Sequence, residues 1–71
     1  MMLRDELARV ISLMARHPEL GIRIRGHEIR RLLLPDTEQF IYYRVRHRAR
    51  RIEILALWGA ARRFGPPLPA R

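Results

Sequence analysis

The chain predicts an α+β fold: one helix packed on a three-stranded antiparallel sheet, with residues 22–25 available as a short fourth strand. Three observations point there. Apolar residues recur at helical spacing near the N-terminus. Three later runs are rich in β-branched and aromatic residues. Short polar or proline-bearing segments separate those runs.

Leu3, Leu7, Val10, Ile11 and Met14 form one apolar stripe of a helix over residues 3–16. Arg4, Asp5, Ala8, Arg9, Ser12, Ala15 and Arg16 lie away from its centre. Asp5 and Arg9, four apart, add a few tenths of a kcal/mol. His17-Pro18 ends the helix, because proline drives the preceding residue out of the α region. The polar face has no cationic excess, so the helix is core-forming rather than a membrane-surface element.

Pro18-Glu19-Leu20-Gly21 is a turn. Ile22-Arg23-Ile24-Arg25 alternates apolar and basic residues, as a short strand or an extended loop would. Glu28–Leu34 is a strand, and Pro35-Asp36-Thr37-Glu38 the turn after it. Gln39–Val45 carries the strongest strand signal, through Phe40, Ile41, Tyr42, Tyr43 and Val45. Arg46-His47-Arg48-Ala49-Arg50 reads as a basic hairpin loop, and Arg51–Trp58 as the last strand. Residues 1–65 make one domain. Residues 66–71 form a Pro-rich tail, expected to be extended and mobile.

Alternation places Ile41, Tyr43 and Val45 on the helix side, flanked by Leu32 and Leu34 and by Ile52, Ile54 and Ala56. Arg31, Phe40, Tyr42, Arg44 and Leu57 are expected on the other side, leaving a face rich in aromatics and arginine for binding.

With 71 residues and no cysteine, the chain is near the lower size limit for folding alone, without disulfides or a thiolate zinc site to help. No apolar run approaches the ~20 residues of a membrane span. The N-terminus has no secretory hydrophobic core, and a cytoplasmic location is expected. The net charge of +8 is uneven. Residues 1–21 are balanced, whereas residues 22–71 carry twelve arginines against four acids. Such a surface favours nucleic acid or an acidic protein. All fifteen basic residues are arginine, whose planar fork suits phosphate and carboxylate.

Catalytic chemistry is thinly represented. The aliphatic hydroxyls are Ser12, on the polar helix face, and Thr37, in a turn where it would bond local backbone. His17, His27 and His47 lack metal-ligand spacing, and no cofactor is expected. His17 suits a helix C-terminus; His47 is either a loop-tip residue or a base. Arginines could stabilise a phosphorane-like charge, with Arg31, Arg44, Arg62 and Arg63 as candidates and Tyr42 or Tyr43 to move protons. Tyr43 falls on the core side and Tyr42 on the exposed side. Trp58 either closes the core or anchors an interface beside Arg62 and Arg63.

The succession of helix, Pro-Glu-Leu-Gly turn, Arg30-Arg31-Leu32, Ile41-Tyr42-Tyr43-Arg44-Val45, Ile52-Glu53-Ile54-Leu55 and Ala60-Ala61-Arg62-Arg63 resembles the C-terminal part of RelE/ParE toxins of bacterial toxin–antitoxin pairs. The resemblance covers about Leu3 to Pro67. It implies a cognate acidic, partly disordered antitoxin, and a target that is either DNA gyrase or the ribosome with its mRNA. It also implies that the family's N-terminal strand and most of its first helix are missing. A second copy or a partner's strand should then cover the open sheet edge. Three departures bear on function. The hairpin loop is basic where relatives often have acids, Gly59 follows Trp58 where many have histidine, and lysine is absent. The ParE-like reading, inhibition by binding through Arg31, Arg44, Trp58, Arg62 and Arg63, is therefore preferred. The alternatives are a RelE-like endoribonuclease using Arg31, Arg44, Tyr42 and His47, and a remnant that only binds antitoxin or nucleic acid.

Overall fold

A computed structural model describes residues 3–69. Helix α1 spans Leu3–Arg16, and four strands follow: β1 Ile22–Arg23, β2 Ile29–Leu34, β3 Gln39–Arg46 and β4 Arg51–Gly59. The strands form one antiparallel sheet in the order β1-β2-β3-β4, a simple meander with α1 on one face. The expected α+β architecture is present, and the short fourth strand is real but limited to Ile22 and Arg23.

Helix α1 stops where His17-Pro18 predicts. The His17 amide closes the last turn on Leu13 O at 2.9 Å. Asp5 and Glu6 lie in the first turn and Arg16 in the last, the arrangement that complements the helix dipole. Met14 is fully buried with Leu34, Ile41 and Tyr43, and Leu3, Leu7, Val10, Leu32, Val45 and Ile52 pack around them. Burying side chains of this size contributes about 1.5–3 kcal/mol each.

One stripe assignment is corrected. Ile11 remains 39% exposed, whereas Glu6 is 2% exposed. Its carboxylate faces the β2–β3 turn and accepts from the Asp36 amide at 2.7 Å, the Thr37 amide at 3.1 Å and Thr37 Oγ1 at 2.6 Å. Thr37 therefore reaches across the fold rather than bonding local backbone. Arg9 and Asp36 add an exposed ion pair at 3.2 Å beside them.

At the other end of α1, Tyr43 is fully buried and its hydroxyl donates to Pro18 O at 2.9 Å. The same oxygen accepts from the Gly21 amide at 2.8 Å. Arg30, opposite Tyr43 in the sheet, donates to Gly21 O at 2.8 Å. The helix is thus fastened to the sheet by polar contacts at both ends and apolar contacts between.

The β3–β4 pairing contains a bulge. Tyr43 pairs with Ile54 but Tyr42 pairs with Ala56, so Leu55 is the extra residue on β4. Inserting one residue reverses the facing of everything beyond it. Ala56 therefore shares the second face with Tyr42, and Leu57 shares the helix face with Ile41. Strict alternation predicts the reverse for these two residues.

The segment after β4 turns back over the second face. The Ala60 amide donates to Glu38 O at 2.9 Å and Trp58 Nε1 to Phe64 O at 2.6 Å. Pro66 is buried, and a Cβ added at Gly65 would lie 3.6 Å from Tyr42 Oη. The start of the proline-rich tail thus lies against the sheet, and Tyr42, expected to be exposed, is only 4% exposed beneath it.

Candidate nucleic-acid interface

The second sheet face gathers most of the residues named for binding. Arg31 pairs with Tyr42, and Leu33 with Phe40, so Arg31 reaches Phe40 diagonally across two strands. Its guanidinium carbon lies over the Phe40 ring, 4.3 Å from the centroid. Phe40 pairs directly with Trp58 on β4. Over the Trp58 ring, again at 4.3 Å, lies the guanidinium of Arg62. Tyr42 supports the band from within, its ring edge-on to Phe40 with centroids 6.4 Å apart. The succession Arg31, Phe40, Trp58, Arg62 thus runs across the sheet from β2 to beyond β4.

Each arginine owes its place to local structure. Arg31 stands on a paired strand, whose register fixes which face it takes. Arg62 is delivered by a turn after β4, closed by its own amide on Gly59 O at 3.1 Å. The Trp58 bond to Phe64 O holds the indole and the returning segment together. Cation–aromatic contacts of this kind contribute about 0.5–1 kcal/mol at exposed sites. Arg31, Arg62 and Arg63 are exposed, while Phe40 and Trp58 are half-buried. Trp58 therefore belongs to the second face, not to the core under the helix.

Arg44 is on the same face but differently engaged. Its side chain is 13% exposed and donates to Glu53 Oε1 at 2.9 Å. Arg46 meets the same oxygen at 3.0 Å, and Arg51 approaches Glu53 Oε2 at 3.6 Å. Hydrogen bonds from Arg46 and Arg44 hold the Glu53 carboxyl below its ordinary value, against an opposing push from burial. Glu53 thus ties up three arginines at the base of the β3–β4 hairpin.

Of the residues named for catalysis, Arg31, Tyr42 and Arg44 share the second face, with Arg31 directly opposite Tyr42. Tyr42 is buried, with Gly65 beside its hydroxyl, and His47 is exposed in the β3–β4 loop, beyond the far end of β3 from Phe40. Tyr43 is held by Pro18 and Gly21, Ser12 is exposed, and Thr37 Oγ1 is bonded to Glu6. His17 is exposed, just past the helix. His27 is half-buried, with Nδ1 lacking a hydrogen-bond partner. Among the described residues, no group of three or more His, Cys, Asp or Glu side chains could hold a metal ion, and no helix is long and apolar enough to cross a membrane.

Two organising acids escaped the sequence reading. Glu53 carried a usable signal: it follows a basic loop and stands in a strand that should pair with Arg44. Glu6 carried none, because its partners lie some thirty residues away in a turn. No protein-family model, no curated protein and no solved structure matches this chain.

Proposed function

We propose that this chain is a toxin-like protein of the ParE kind, one that acts in the bacterial cytoplasm by binding a macromolecular target, such as DNA gyrase, rather than by covalent chemistry. The observation that supports this is the exposed Arg31–Phe40 and Trp58–Arg62 band, a surface of charge and aromatic planes. Tyr42, whose ring lies edge-on to Phe40, is buried. Such a surface recognises a large partner well and offers little to general acid–base catalysis.

On this reading the cognate antitoxin is an acidic, partly disordered protein that folds over the arginine-bearing surface and neutralises it. Strand β4 supports a further element. It spans Arg51–Gly59 at the end of the sheet order, with β3 on one side only. A strand from a second copy or from the partner would complete it.

Inducing the chain in a bacterium while following labelled thymidine and labelled amino acid incorporation tests this reading. An early fall in thymidine incorporation with translation intact supports it. An early fall in translation favours a RelE-like ribonuclease instead. Unaffected growth and labelling would leave an inactive remnant, with antitoxin binding as its remaining activity.

A further inference from the structure

We infer that the Arg31–Phe40 and Trp58–Arg62 band is a binding site for single-stranded nucleic acid, with one base stacking on each guanidinium. This goes beyond the toxin reading and does not depend on it. Phe40 and Trp58 are direct cross-strand partners, so their side chains stand next to each other on one face. Arg31 and Arg62 lie over them at the same 4.3 Å. A guanidinium in that position keeps a planar face for a base and its N–H edge for a phosphate.

The charge on the band is available. No ion pair joins Arg31 or Arg62 to a carboxylate among the described residues, in contrast to Arg44, Arg46 and Arg51 around Glu53. Exposed Arg63 adds a third positive charge beside them. Stacking surfaces joined to unneutralised arginines are what sequence-tolerant recognition of unpaired strands requires. A duplex keeps its bases stacked inside and would meet only the charges. An acidic protein would use the N–H donors but has no need of the planes.

Trp58 is the only tryptophan, so its fluorescence reports on the band directly. The probes are an eight-nucleotide oligothymidylate, an abasic oligomer of equal length, a short duplex and polyglutamate, all at fixed salt. The base-bearing single strand should quench Trp58 and bind about tenfold or more tighter than the other three. Arg31→Lys and Arg62→Lys keep the charge but not the plane. Each should weaken oligothymidylate binding by about tenfold and abasic binding by clearly less, with thermal unfolding confirming an intact fold.

Equal binding of the abasic oligomer or the duplex, tighter binding of polyglutamate, or no binding of oligothymidylate overturns the inference. The comparison among probes on the unmodified protein decides the matter even if a lysine variant fails to fold. It is also independent of the labelling outcome, so the two readings stand or fall separately.

Discussion

The Gly21 amide donates to the Tyr43 hydroxyl across 2.8 Å at a point where glycine has no substitute. A Cβ at position 21 would stand 2.8 Å from Tyr43 Oη and 2.9 Å from the Arg31 carbonyl oxygen. One of these obstacles is backbone, so the chain cannot yield cheaply. Gly21→Ala should destabilise the fold by roughly 1–3 kcal/mol through overpacking. Tyr43→Phe should cost about 1–3 kcal/mol by leaving the buried Gly21 amide unsatisfied. Urea midpoints give both values, and a Gly21→Ala midpoint equal to the parent would contradict the close approach.

Acid should loosen the helix from the β2–β3 turn. Burial raises the pKa of Glu6, but the Thr37 hydroxyl, the Asp36 and Thr37 amides and the Arg9 charge together outweigh it. The net shift is below the ordinary 4.5. The folded state therefore favours the ionised carboxylate. That contribution is complete above the unfolded value and is lost as pH falls through the lower, folded value. Glu6→Gln should lower stability at neutral pH and flatten the decline of stability below about pH 4.5. Melting curves from pH 3 to 7 would show an unchanged acid slope if the contact were unimportant.

Neutralising Glu53 should alter electrostatics more than shape. Glu53→Gln removes the carboxylate shared by Arg44, Arg46 and Arg51 and leaves three positive charges at the hairpin base. Affinity for any polyanion should rise, and its dependence on salt should steepen. Heparin elution at increasing ionic strength measures this, and elution at or before the parent position would refute it.

Two hairpin turns carry correctable strain. Glu38 and Arg50 hold φ of 54° and 51°, each as the last residue before the strand resumes. Left-handed backbone costs a non-glycine residue about 1 kcal/mol, partly offset by the entropy glycine loses on folding. Arg50→Gly should raise the melting temperature by a few degrees, equivalent to up to ~1 kcal/mol. A fall would mean that the Arg50 side chain contributes contacts of its own.

Much of the architecture was legible because its causes are local. The stripe from Leu3 to Met14, the Pro18 stop and the run Phe40–Val45 each specify an element without outside help. What was illegible depended on distant chain. Tyr42 alternates outward as the pattern requires, yet it is buried where the segment at Gly65 returns to the sheet. Leu55 looks like any other strand residue, yet its bulge sends Ala56 and Leu57 to opposite faces from those expected. Glu6 looks like a solvated first-turn acid until the Asp36-Thr37 turn comes to meet it. The band itself was half visible. Arg31, Trp58 and Arg62 stood out by type, but only register joins them through Phe40.

The meander also bears on how the molecule assembles. Every strand pairs with its immediate neighbour in sequence, and the two larger hairpins close over four-residue loops. Sheet formation therefore needs only short-range encounters, which are fast. The contacts of Glu6 and Tyr43 with the opposite element close loops of 30 and 25 residues. The expected order is hairpins first and helix docking afterwards, with Glu6 and Tyr43 acting as the late fasteners. Amides of β3, paired on both sides, should be the slowest to exchange with solvent, and those of α1 the faster.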